Sequence, residues 1–274
     1  MKRKLVLLLS LLIFSQPSFA DFKEHFDLGT QYLSNYQYSQ AISEFKDALR
    51  INYKDNSARI QIINAHLARG MHYANDEQNW SKAADDYRSA LFYMLIYPDT
   101  ETAQVTSSVG PVTQNLNTCL NMMKFDRSPQ SRYARAKQLR AEGNFSAAAY
   151  EFTQSLGDKN NIKDSYIQTA EIMKIFGNEP KAAEYYKKAV SVDPADIYVR
   201  LPYAKLLDNL GSEDAAVEEY NYILAHADNN TDILASLERI YKRKVEVRRR
   251  WRKPWRPCRK WTDNWKSKGT NFGG

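Results

Sequence analysis

Cysteine is scarce in this 274-residue chain: Cys119 and Cys258 are the only two. A disulfide framework is therefore excluded, and a single bridge or two free thiols are the remaining choices. After Phe14 no stretch is apolar enough to span a bilayer. Catalytic signatures are missing as well: there is no H-E-x-x-H, C-x-x-C, P-loop, G-x-G-x-x-G or G-x-S-x-G. Histidine is limited to His25, His66, His72 and His226. His66 and His72 are six apart and do not share a helical face, so a metal centre is not expected. The carboxylates are scattered as on a solvated helical surface. These absences point away from an enzyme and from any cofactor.

What is present begins at the N-terminus. Lys2, Arg3 and Lys4 precede the apolar run from Leu5 to Phe14, and Ser18-Phe19-Ala20 places small residues three and one before Asp21. This is the layout of a cleavable secretory signal over residues 1–20. The run is about half the ~20 residues a membrane span needs. With no cysteine behind it, a lipoprotein is disfavoured too. The chain is expected to be exported, to the periplasm or the cell envelope.

An internal repeat organises the rest. From Lys163, small and bulky residues fall at Ala170, Met173, Ala182, Tyr186 and Ala189, with Gly177-Asn178 between two helical halves and Pro194 at the close. The register returns from Phe22 (Gly29, Tyr32, Ala41, Phe45, Ala48), from Pro129 (Ala136, Leu139, Ala148, Phe152, Ser155) and from Ile197 (Ala204, Leu207, Ala216, Tyr220, Ile223). A unit of about 34 residues with this spacing resembles the tetratricopeptide repeat. Small residues let paired helices approach, and the aromatic fills the space between units. The resemblance implies an all-α fold, a right-handed superhelical solenoid of helix-turn-helix repeats.

The units are placed at residues 22–55, 58–98, 129–162, 163–196 and 197–230. In the second, Ala83, Tyr87 and Ala90 carry the back half, and a front helix near Arg59 to Gly70 reaches it through an insertion around His72 to Asn79. Residues 99–128 read as a degenerate helix pair or an insertion, with Gly110-Pro111 expected to break any helix. Residues 231–247 read as a capping helix with Ile233, Leu234, Leu237, Ile240 and Tyr241 on one face.

By resemblance, front helices line a groove for a protein segment. The residues this singles out are Tyr133, Lys137 and Arg140, then Ile167, Glu171 and Lys174, then Tyr198, Lys205 and Asp208. Their mixed charges match no carboxylate-clamp signature. The tyrosines at repeat slots are packing residues first.

Charge is uneven. The chain carries +7, residues 1–20 contribute +3 and residues 242–274 contribute +11, so 21–241 carries −7. The basic tail, 248–274, holds four of the five tryptophans, Trp251, Trp255, Trp261 and Trp265, among Arg248, Arg249, Arg250, Arg252 and Arg256. With Pro254 and Pro257 and few aliphatic residues, it is expected to be disordered when free. Indole at a polar boundary and guanidinium on phosphate fit an anionic lipid or envelope polymer, an acidic protein, or the acidic body itself. Single-stranded nucleic acid uses similar residues, but export disfavours it. The expected function is a non-enzymatic binding scaffold or adaptor; the alternative is an envelope-surface binder whose repeats are a stalk.

Overall fold

Each helix pair turns on one residue with positive φ, five positions before the first small residue of the back helix. Gly143, Gly177 and Gly211 hold φ of 78°, 73° and 75°, ahead of Ala148, Ala182 and Ala216. The same place is taken by Tyr36 (φ 60°) before Ala41 and Gln78 (φ 52°) before Ala83. Glycine has no Cβ to clash there, whereas a tyrosine is strained. The Tyr36 ring is 79% exposed, so little packing offsets that strain. Tyr36→Gly is expected to stabilise the fold by about 0.5 kcal/mol, read as a higher urea midpoint at unchanged slope. A lower midpoint would mean that the edge-on contact with Tyr38, 6.4 Å between ring centres, outweighs the strain.

The computed structural model describes residues 19–97, 103–226 and 231–251. Among these the chain is all-α, a helical-repeat solenoid. The pairs are α1 (Phe19–Ser34) with α2 (Tyr38–Ile51), and α3 (Asn56–Asn75) with α4 (Trp80–Leu91). A lone α5 (Ala103–Met122) follows. Then come α6 (Pro129–Ala141) with α7 (Phe145–Gln154), α8 (Ile162–Ile175) with α9 (Glu179–Val192), and α10 (Ile197–Asn209) with α11 (Glu213–His226). The closing helix is α12 (Thr231–Trp251). Side-chain caps start several of them: Asp55 accepts from the Ala58 N–H at 2.8 Å, and Asn178 from the Lys181 N–H at 3.2 Å.

The back-helix slots are buried without exception. Ala41, Ala83, Ala148, Ala182 and Ala216 are fully buried, and four residues on Phe45, Tyr87, Phe152, Tyr186 and Tyr220 are buried as well. A Cβ at Gly29 would lie 2.7 Å from the Phe45 ring, and one at Gly70 would lie 3.1 Å from the Tyr87 ring. Those glycines are what allow the helices to approach.

A second regularity crosses each pair. The residue four before the small front-helix slot meets the residue three after the back-helix alanine. His25 lies 2.7 Å from Glu44, His66 2.8 Å from Asp86, Arg132 3.1 Å from Glu151 and Arg200 2.5 Å from Glu219. In the remaining unit Tyr166 and Tyr185 meet ring to ring at 6.3 Å.

Four expectations need correction. The front helix of the second unit does not end at Gly70 but runs to Asn75, and the insertion is one extra residue in the turn 76–79. Gly110-Pro111 does not break α5, which is continuous through Pro111. Glycine before proline has no Cβ to clash with the ring, and the stripe Val105, Val112, Leu116 and Leu120 is buried, with α5 packed mainly on α4. The described part of residues 99–128 thus holds one helix, α5, which corrects the helix pair and leaves the insertion. The capping helix continues four residues past Val247, and its apolar face divides: Ile233, Leu237 and Ile240 are buried while Leu234 and Tyr241 are exposed.

The middle of the molecule is joined by α4. It packs on α3, α5 and α7 and passes into a π-helical turn, Phe92–Ile96. Phe92, Tyr93 and Tyr97 surround Phe176 with ring centres 5.3 to 6.1 Å away. Asn178 Nδ2 donates to the Tyr97 carbonyl at 2.9 Å. The second unit is thereby tied to the turn of the fourth.

Candidate functional site

The front helices α6 and α8 lie on neighbouring units, and between them opens a cleft of about 580 Å³. Tyr133, Lys137, Arg140 and Ala141 line it from α6, Asp164 and Gln168 from α8. Three of the nine groove residues expected from the sequence meet here. The Tyr133 hydroxyl donates to Asp164 Oδ2 at 2.5 Å, and Gln168 Nε2 donates to Asp164 Oδ1 at 3.1 Å. Burial, and then that bond to Asp164, pushes the Tyr133 phenol up to about 12, so it stays a donor. Arg140 donates to the Gln168 side-chain carbonyl. Lys137 lies over the Tyr133 ring, 5.6 Å from its centre.

The electrostatics follow from these pairings. The one carboxylate of the cleft is already engaged by two neutral donors. Neither Lys137 nor Arg140 has a carboxylate partner among the described residues, so two cations face the opening. Asp164 and Gln168 were missed by sequence reasoning, although Asp164 stands at the place Tyr198 holds in the last unit, three residues before Ile167, and Gln168 is one residue after it.

The other six groove residues are dispersed. Ile167 is half-buried against the core. Glu171 accepts from the Tyr186 hydroxyl of its own unit and from Lys174 at 3.3 Å, which occupies both. Tyr198 is 85% exposed and Lys205 is exposed as well. Asp208 is not a groove residue: it is 6% exposed and receives Arg239 at 2.5 Å and also Arg243, both from α12. In the last unit the capping helix takes the place a next front helix would have, and it consumes the carboxylate.

His66 and His72 do not meet. His66 is buried on Asp86, which also takes Arg69; His72 is on the surface, 2.6 Å from Asp76. Among the described residues no three His, Cys, Asp or Glu side chains converge to hold a metal ion. No helix among them is long and apolar enough to cross a membrane. Cys119 is a buried thiol, while Cys258 lies outside the described residues. So do residues 1–18 of the signal expected over 1–20, and the tail from Arg252, with Trp255, Arg256, Trp261 and Trp265. Of Arg248, Arg249, Arg250 and Trp251 only the helical backbone is described.

No protein-family model matches the chain, and no curated protein does. Among solved structures it is similar to Pseudomonas aeruginosa pilF, 15% identical over 91% of this chain and 98% of that one, with a TM-score of 0.37. It is also similar to the TPR2AB domain of yeast Sti1, solved in complex with pHSP90 (13% identical, 82% and 98% covered, TM-score 0.34). A thermophilic TPR protein of Thermus thermophilus stands at 16% identity, 80% and 98% covered, TM-score 0.31. Scores this low carry no detail. By its own register of small and aromatic slots, turn positions and helix pairing, the chain is a tetratricopeptide-like helical-repeat protein.

Proposed function

We propose that the protein is a non-enzymatic scaffold of the periplasm or cell envelope that holds a segment of a partner protein in the α6–α8 cleft. The observation that carries this is the pair of cations without carboxylate partners, Lys137 and Arg140, at the opening of a roomy cleft. A partner segment with one acidic side chain or a terminal carboxylate would meet both, while the Tyr133 ring offers an apolar wall. The signal-like residues 1–20 support the location. Each charged hydrogen bond to such a ligand is worth roughly 1.5–3 kcal/mol, so removing either cation is expected to weaken capture about tenfold or more. The test is capture from envelope extract with the intact protein and with the Lys137→Ala, Arg140→Ala variant. A protein retained by the first and lost by the second supports the reading; identical capture by both overturns it.

A second reading is favoured by the tail, with its 13 Lys and Arg from residue 242 onward and its four tryptophans. In it the repeats are a stalk and residues 248–274 bind an anionic lipid or polymer. A chain ending at Trp251, which leaves α12 whole, would then lose binding to vesicles containing anionic lipid. If it binds them as the full chain does, the tail is not the binding element.

A further inference from the structure

The α12 helix carries the front-helix register of the units before it, yet it is described with no back helix of its own. Thirty-four residues after Arg200, Ala204 and Leu207 stand Leu234, Glu238 and Tyr241. In the earlier units these slots face the unit's own back helix, and Leu139, Met173 and Leu207 are buried in them. In α12 they are open: Leu234 is 53% and Tyr241 50% exposed, and one turn on Val245 is 46% exposed. Ile233, Leu237 and Ile240 pack inward, and Arg243 and Lys244 pair with Glu213 and Asp214 of α11. That side is committed to the body. The helix is also long, 21 residues against 13 or 14 for α6, α8 and α10, so it overshoots the body by about 10 Å.

Leu234, Glu238, Tyr241 and Val245 are spaced four, three and four residues apart. They fall within an arc of about 60° on the helix, the seam spacing of two helices packed side by side. Glu238 occupies the slot filled by Gly29, Ala136, Ala170 and Ala204 in the other units. A close-packed back helix of the repeat type cannot approach over that side chain. What fits is a helix that also brings a donor to face Glu238.

We infer that the open face of α12 is an interaction surface for a second copy of this chain, paired antiparallel through α12. A two-fold axis between residues 239 and 240 sets Leu234 opposite Val245 of the second copy at both ends. Glu238 then faces the Tyr241 hydroxyl, twice, in the two middle layers. Polar middle layers between apolar outer ones fix register and direction, because a slip sets the Glu238 carboxylate against apolar side chains instead of the Tyr241 hydroxyl. Lys242, now 2.6 Å from Glu238 of its own helix, flanks the same layers. The acidic start of each helix, Asp232, comes to lie beside the basic end of the other, at Val247 and Arg248. Four layers bury less than a standard interface, so the dimer is weak, with a dissociation constant on the order of tens of micromolar. This inference is independent of the groove.

The test uses the full mature chain in a Cys258→Ser background, with single cysteines introduced by Leu234→Cys in one preparation and Val245→Cys in another. Mixed at ~100 µM under mild oxidation, the two are expected to cross-link to each other, and neither to itself. Sedimentation of the unmodified chain should show a monomer–dimer equilibrium near that concentration. Leu234→Asp, at an exposed position, should leave helix content and melting unchanged but shift the equilibrium at least tenfold toward monomer. Self-cross-linking of either variant would mean a parallel pairing and overturn the proposal. A chain that stays monomeric at ~100 µM would overturn it too, as would a dimer unaffected by Leu234→Asp, which uses another surface.

Discussion

Glu151→Gln is expected to cost about 3–5 kcal/mol of stability. Glu151 is fully buried and accepts from two arginines at once, Arg88 Nε on one oxygen and Arg132 Nη1 at 3.1 Å on the other. Arg88 is 1% exposed. Its remaining ties are Asp85 at 2.9 Å and the Phe125 ring at 5.5 Å, and its second terminal nitrogen has no partner. Neutralising Glu151 leaves that guanidinium in the interior with half its compensation gone. The cost is that of an unpaired buried charge rather than the net worth of the pair. Two further measurements separate the readings. The double variant Arg88→Met, Glu151→Leu should recover part of the loss, since an apolar pair removes both fully buried charges and leaves only Arg132, 14% exposed, without its carboxylate. Glu219→Gln breaks the equivalent pair in the last unit, where both side chains are partly solvated at 11% and 18%, and should cost about 1 kcal/mol or less. Urea midpoints report all three. If Glu151→Gln costs no more than Glu219→Gln, the network joining α4 to α6 and α7 is not what holds the two halves of the array together.

That network shows where sequence reading stops. The repeat register was legible because it is local: the small slot, the turn and the back-helix alanine lie within 12 residues, and packing demands the same residue sizes each time. The pairing of front-helix base with back-helix acid was legible too, at a spacing of 19 from His25 to Glu44 and from Arg132 to Glu151, but it went unread among many charges. Arg88 to Glu151 spans 63 residues and crosses from one unit to another through α7. No periodicity encodes that contact, because it depends on α5 having no back helix. α5 was itself obscured by Gly110-Pro111, a pair that ordinarily marks a break, where burial of a valine and leucine stripe outweighs one lost backbone bond. At the site, the α6 residues Tyr133, Lys137 and Arg140 followed from their slots. Asp208 did not stay in the groove, because a slot says which way a side chain points and not what the next element will bring against it.

Acid should weaken the fold through His66. This histidine is fully buried; its Nδ1 donates to Asp86 Oδ1 at 2.8 Å, and its Nε2 has no partner. The ring lies against Tyr93, with centres 6.0 Å apart. Protonation would place a new N–H donor and a charge where nothing accepts. Burial therefore lowers the imidazole from 6.5 to about 4, outweighing the opposing pull of Asp86, with Lys46 and Arg69 adding to the fall. Asp86 remains ionised in this range, since burial pushes it up but the bonds from His66 and Arg69 hold it below the ordinary carboxylate value. The sign follows from linkage. The unfolded chain takes up the proton near pH 6.5 and the folded chain only near 4, so the contribution is complete above 6.5 and drains away as the pH falls toward 4. At about 1.36 kcal/mol per unit, the loss across that window is roughly 3 kcal/mol. The comparison that isolates it is between the native chain and His66→Asn, whose amide keeps a donor for Asp86 but does not titrate. Urea midpoints at pH ~7.0, ~5.5 and ~4.5 should fall more steeply for the native chain, and the gap between the two proteins should narrow by about 2 kcal/mol or more by the lowest of these. Parallel curves would show that His66 takes its proton in the folded state as readily as in the unfolded one. The missing Nε2 partner would then have to be supplied by movement of the Tyr93 side, the same segment that ties the second unit to the fourth.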